Sequence, residues 1–151
     1  MGGPVSADRL TDFAIRAFRS LGVPDRDAKA VASLMIDADL LGYDTHGLFR
    51  LRQYVTRLRD GGCNAKARPH VVRETAATAL IDGDNGLGHL AMVMARDLAM
   101  AKARLAGIGW VGVRQSCGAS GALCSPAGGG WHDRDLCRRG QCQPCGALWW
   151  H

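Results

Sequence analysis

The sequence predicts an α/β chain: a helical N-terminal segment followed by the first strands of a sheet. Two observations carry this. Apolar residues recur at helical spacing three times within residues 1–66, and from residue 67 onward β-branched runs bracket a fourth helical stretch. Beyond residue 122 neither period survives. The expected organisation is a three-helix segment over 1–66, the start of an α/β domain over 67–122, and an aberrant tail over 123–151 with no folding pattern.

Ser6 is placed as an N-cap, and Leu10, Phe13, Ala14, Ala17, Phe18 and Leu21 then repeat at helical spacing until Gly22. After Pro24-Asp25 a second helix carries Ala28, Val31, Ala32, Met35 and Ile36, with Lys29, Asp37 and Asp39 on its other sides, and ends near Gly42. Asp44 or Thr45 can cap a third helix, whose Leu48, Leu51, Val55 and Leu58 face inward while Arg50, Arg57 and Arg59 project elsewhere, until Gly61-Gly62 breaks it. Val71-Val72-Arg73 and Thr78-Ala79-Leu80-Ile81 read as short strands, and Asp82-Gly83-Asp84-Asn85-Gly86 as a turn. The fourth helix presents Leu90, Val93, Met94, Leu98 and Ala101 and closes at Gly107, after which Ile108 to Val113 reads as a buried strand.

Composition narrows the function classes. A chain of 151 residues that is 47% hydrophobic can bury one core. The net charge of +5 comes from Arg and Lys scattered among Asp and Glu, which describes a solvated surface and predicts no nucleic-acid partner. No apolar run approaches the roughly 20 residues that span a bilayer, and no secretory pattern opens the chain, so no membrane association and a cytoplasmic location are expected. Met1-Gly2 with Ser6 fits the loose myristoylation pattern, which many unmodified proteins share.

His46 and Arg50 stand four apart at the start of the third helical stretch, a spacing that puts both on one face near a positive helix end. A guanidinium offers a planar fork to a carboxylate, and an imidazole can donate a hydrogen bond or a proton near neutral pH. Such a pair suits a small anionic substrate. Gly86-Leu-Gly88, between a strand and a helix, suggests a phosphate cradle only weakly, because it lacks the third glycine and the acidic residue of the dinucleotide fingerprint. It reads as a turn that needs small residues.

The stretch Asp39-Leu-Leu-Gly-Tyr-Asp-Thr-His-Gly-Leu-Phe-Arg-Leu-Arg-Gln-Tyr54 resembles the signature D-L-x-G-x-D-S-H-G-x-x-R-L-P-x-Y of the malate/L-lactate dehydrogenase family, with Thr45 for Ser and Arg52 for Pro. Val71-Val72-Arg73-Glu74-Thr75, Leu80 to Gly88 and Gly107-Ile-Gly-Trp-Val-Gly-Val-Arg114 are similar to the same family in the same order, so the resemblance covers about residues 5 to 116. It implies a non-Rossmann fold and a homodimeric oxidoreductase that moves a hydride between NAD or NADP and C2 of a small 2-hydroxy or 2-oxo acid. By the same resemblance Arg50 and Thr45 bind the substrate and its carboxylate, and His46 is catalytic, orienting or polarising the reacting group beside the nicotinamide. The family's second histidine, in an S-N-H motif after the G-V-R strand, is missing: Gln115-Ser116 runs into Cys117-Gly118. An inactive fragment is therefore expected.

The tail supports two readings. Cys137, Cys142 and Cys145, with His132 and His151 nearby, can be read as a zinc or iron-sulfur site in a small metal-binding or interaction module, although their spacing fits none of the common double-CxxC arrangements. The rival is a shifted reading frame. Read from the second base of the Trp131 codon, the neighbouring frame permits Gly-Met-Ile-Gly-Ile, and Trp149-Trp150-His151 force Gly-Gly, both where the family carries such residues. In that reading the cysteines are accidental and no metal is bound.

Overall fold

The structure is a computed structural model that describes residues 5–117. Its elements are α1 (Ala7–Arg19), α2 (Asp25–Leu40), α3 (Leu51–Arg59), β1 (His70–Glu74), β2 (Thr78–Leu87), α4 (Gly88–Ala106) and β3 (Trp110–Cys117). Two short 3-10 turns, Asp44–His46 and Leu48–Arg50, lie between α2 and α3.

One device closes the three N-terminal helices. Gly22, Gly42 and Gly61 have φ of 85, 82 and 71°, a left-handed conformation that costs glycine no steric penalty. Each lets the next residue's N–H reach back to the last turn: Val23 to Phe18 O at 3.2 Å, Tyr43 to Ala38 O at 2.8 Å and Gly62 to Arg57 O at 2.9 Å. At the first of these, Val23 and Phe18 are both buried in the same cluster, so the cap also fixes the angle at which the chain enters α2.

The helical layer packs Phe18 and Met35, both fully buried, with Val31, Leu51, Tyr54 and Leu58. Burial of each large side chain contributes about 1.5–3 kcal/mol. The sheet has the order β1-β2-β3, with β1 antiparallel and β3 parallel to the central β2. Helix α4 makes the crossover between the parallel pair, and a second cluster of Ile81, Ala91, Met92, Ala95, Val111 and Val113 fills the space beneath it. The layers meet at one end of the sheet, where Leu87 and Cys117 enter the helical cluster beside Cys63, and between α2 and α4, where Leu34 packs against the second cluster and Leu90 against the first.

Several details depart from the sequence reading. The third helix begins at Leu51 rather than near Asp44, because Gly47, at φ −86 and ψ −146°, separates the two 3-10 turns. The residues 82–86, expected as a turn after a short strand, lie inside β2 as an irregularity in its pairing, with Asp84 and Asn85 at φ of 52 and 49°. The Asp82 carboxylate accepts the Asp84 N–H at 2.9 Å, and the Asp84 carboxylate accepts Arg68 N–H and Asn64 Nδ2, each at 3.0 Å. These bonds hold the kink.

On α4 the most deeply buried positions are Ala91, Met92, Ala95 and Ala99; Leu90, Val93, Met94 and Leu98 are only partly buried and Ala101 is exposed. Small residues face the sheet because the chain comes very close there: a Cβ on Gly109 would lie 2.0 Å from the Ala99 carbonyl oxygen. Phe13, expected in the core, is 53% exposed, and Ser6 sits at the N-cap position without a side-chain capping bond. Strand β3 runs from Trp110 to Cys117, later than the predicted Ile108 to Val113. The predicted tail and its Cys137, Cys142 and Cys145 lie outside the described residues.

Candidate functional site

The 3-10 turns are held by α2. The Asp39 carboxylate, in the last turn of that helix, accepts the Leu48 N–H at 2.8 Å. Gly47 is buried directly against it, and a Cβ at Gly47 would lie 1.7 Å from Asp39 Oδ1. A glycine is required here by close approach, and the result is a fixed path for the chain between His46 and Arg50.

Along that path Thr45 links His46 and Arg50, one through its side chain and one through its main chain. Thr45 Oγ1 and His46 Nδ1 are 3.0 Å apart, Arg50 Nε donates to the Thr45 carbonyl at 2.7 Å, and Arg50 Nη1 donates to Gln53 Oε1 at 2.9 Å. The sequence placed His46 and Arg50 on one face of an α-helix. The structure instead ties Arg50 to the Thr45 main chain across two 3-10 turns, with Arg50 at the N-cap of α3. Arg50 Nη2 makes no hydrogen bond among the described residues, and Thr45 is exposed while His46 and Arg50 are half-buried. A guanidinium, an imidazole and a hydroxyl thus lie on one short stretch of chain, groups that can hydrogen-bond to a carboxylate.

Sequence reasoning missed His89. It is fully buried at the start of α4, its ring meets Tyr54 edge-on with centroids 5.5 Å apart, and neither ring nitrogen has a hydrogen-bond partner among the described residues. Burial, with a smaller contribution from the charge of His46, lowers its pKa to about 4, so it is neutral at pH 7. Tyr54 is itself buried, and burial pushes its hydroxyl well above the usual phenol range. The signal in the sequence was a histidine beside apolar residues in the first turn of a helix, which spacing alone does not separate from a surface residue.

Gln115-Ser116-Cys117 stands where the resemblance predicts a second histidine. Gln115 has a φ of 49°, and Cys117 is buried where β3 meets the helical cluster. A surface cleft of about 530 Å³ between α1 and α3, lined by Phe13, Leu21, Phe49 and Val55 among others, includes none of Thr45, His46 and Arg50.

The profile of the malate/L-lactate dehydrogenase family matches residues 5–127. The chain belongs to that family. Among family members, the malate dehydrogenase of Pyrococcus abyssi is 44% identical over 112 residues, which are 74% of this chain and 31% of that protein. The L-sulfolactate dehydrogenase of Methanocaldococcus jannaschii is 43% identical over 102 residues, 68% of this chain and 30% of its own. The solved structure of malate dehydrogenase from Pyrococcus horikoshii superposes with a TM-score of 0.70 at 45% identity, covering 74% of this chain and 32% of that one. The chain thus spans about a third of the length of these relatives. The α/β fold with a mixed sheet is that of the family's solved members.

Proposed function

We propose that this chain forms the substrate-gripping part of a dehydrogenase of small 2-hydroxy acids such as malate, lactate or sulfolactate. The observation that carries the reading is the Thr45–His46–Arg50 cluster, fixed by Asp39 and Gly47, in a chain whose relatives are named malate and sulfolactate dehydrogenases. Arg50 Nη2 with the remaining Nη1 hydrogen forms the edge that receives the substrate carboxylate, while its Nε bond to the Thr45 carbonyl keeps the fork from swinging. His46 then faces the C2 oxygen, with Thr45 setting the angle of its ring.

The relatives' chemistry calls for a nicotinamide cofactor, NAD or NADP, which accepts the hydride from C2 when bound. The described residues do not fit a nucleotide cradle. Gly86 is filled by its own chain, since a Cβ there would lie 2.2 Å from that of Ala67, and Gly88 is buried. In this reading residues outside the described ones hold the cofactor, and the two forms are not discriminated within 5–117. The intact enzyme acts as a homodimer in the cytoplasm; Phe49, 77% exposed, and Phe13 supply apolar surface of the kind a subunit interface covers. Among the described residues no helix is long and apolar enough to cross a membrane.

With no histidine at the family's acid/base position, this chain is expected to show no turnover. The test is a steady-state assay of malate, lactate and sulfolactate oxidation with each cofactor. It compares this chain with a version whose frame is restored and which is extended to the relatives' full length. Turnover confined to the extended protein is the expected result; turnover of none of the acids by the extended protein would overturn the reading.

A further inference from the structure

Two buried cysteines meet where the sheet joins the helical layer. Cys63 follows the Gly61-Gly62 end of α3 and is 5% exposed; Cys117 ends β3 and is 3% exposed. Both belong to one packed cluster, and Cys117 Sγ lies 3.9 Å from the carbonyl of Gly62, the residue before Cys63. Arg57 Nη1, from α3, donates to Cys117 Sγ at 3.4 Å, and in its protonated form the Cys117 thiol donates to the Gly62 carbonyl. The proposed dehydrogenase chemistry uses none of these groups.

We infer that Cys117 and Cys63 form a peroxide-reactive dithiol, in which Cys117 is the attacking thiolate, Arg57 its cationic partner and Cys63 the resolving thiol. Among the described residues, the titratable groups acting on Cys117 are Cys63, Arg57 and Tyr54. The Cys63 S–H donates to Cys117, and the guanidinium adds its charge. Together they lower the Cys117 pKa to about 6 against the opposing effect of burial, whereas Cys63, holding the shared proton, is pushed up. The direction of both shifts favours the thiolate on Cys117, beside Arg57, and the thiol on Cys63.

The chemistry balances with hydrogen peroxide as the oxidant. The Cys117 thiolate attacks one peroxide oxygen, the O–O bond breaks, and the departing hydroxide takes a proton to become water, leaving Cys117 as a sulfenic acid. The Cys63 sulfur, giving up its proton, then attacks Cys117 Sγ. The S–S bond forms, the S–O bond breaks and a second water leaves. Two thiols are oxidised to one disulfide and one peroxide is reduced to two waters. The product ties the end of α3 to the end of β3, locking the seam between the two layers.

The test uses the full chain, reduced, freed of reductant and exposed at pH 7 to one equivalent of hydrogen peroxide, followed by alkylation, trypsin and tandem mass spectrometry. Asp60 to Lys66 should appear joined to Gln115 to Arg134, with fragmentation placing the link on Cys117 rather than Cys124. Treated in guanidinium chloride, the chain should lose that preference among its six cysteines. Cys63→Ser should leave a sulfenic acid at Cys117 that dimedone traps, and Arg57→Leu should slow disulfide formation about tenfold at pH 7 by reducing the thiolate fraction. The same mixture of disulfides from native and denatured protein would overturn the inference, as would a native product linking Cys124 or another tail cysteine ahead of Cys117. The native-against-denatured comparison needs no variant, so it decides even where a substitution fails to fold.

Discussion

The Asp39 carboxylate occupies the space that any Cβ on Gly47 would need, 1.7 Å from Oδ1, while its other oxygen holds the Leu48 N–H at 2.8 Å. Gly47→Ala must push Asp39 aside and lose that charge-assisted bond, at a cost of about 1–3 kcal/mol. Urea unfolding should show this as a lowered midpoint. Because both changes act on one contact, Gly47→Ala in an Asp39→Ala background should cost less than in the parent. Strictly additive effects would mean that the contact does not hold the turns.

His89 ties stability to pH. Its folded pKa of about 4 lies below the 6.5 of an unfolded histidine, so between those values the unfolded chain binds more protons. Stability from this residue is complete above pH 6.5 and is lost as pH falls toward 4, by up to about 3 kcal/mol. Unfolding free energies measured across that window should fall more steeply for the parent than for His89→Leu. Parallel curves would show that His89 reaches solvent or a partner before it protonates.

Lys102 is 5% exposed on α4, and its ammonium donates to Glu74 Oε1 at 2.9 Å and to the Thr75 carbonyl, pinning the helix to the end of β1. Removing Glu74 strips a buried cation of its counter-charge, whereas Lys102→Met replaces the cation with an apolar group of similar length. Glu74→Ala should therefore destabilise by about 1–3 kcal/mol and Lys102→Met by less. Thermal or urea unfolding of the two variants gives the order directly, and the reverse order would contradict this account of the pair.

Much of this fold was legible because the relevant signals are local. Glycines mark the ends of the helices, since a left-handed residue is what a helix end needs, and Gly22, Gly42, Gly61 and Gly107 all serve there. The kink at Asp84-Asn85 was read as a turn because Asp, Asn and Gly favour positive φ wherever it occurs; that it lies within a paired strand depends on Arg68 and Asn64, which reach it from another segment. The face of α4 was misjudged because size misled: alanines, not leucines, lie against the sheet where backbones nearly touch. In the candidate site, the signature nominated the residues, but their geometry was not legible. A helical spacing of four was satisfied by two 3-10 turns, and the bond from Arg50 to the Thr45 carbonyl has no sequence signal. His89 and the Cys63–Cys117 contact depend on long-range packing, which spacing does not encode.

The most direct test of the central claim, that Arg50 and His46 grip a small acid, is made in the protein extended to the relatives' full length. Using whichever of malate, lactate or sulfolactate it oxidises, kcat and KM are measured for Arg50→Leu and His46→Gln alongside the parent. Loss of the guanidinium should lower kcat/KM by roughly a hundredfold or more, chiefly through KM, and loss of the imidazole should act chiefly on kcat, by roughly a hundredfold. Values for both variants within a fewfold of the parent would contradict the account.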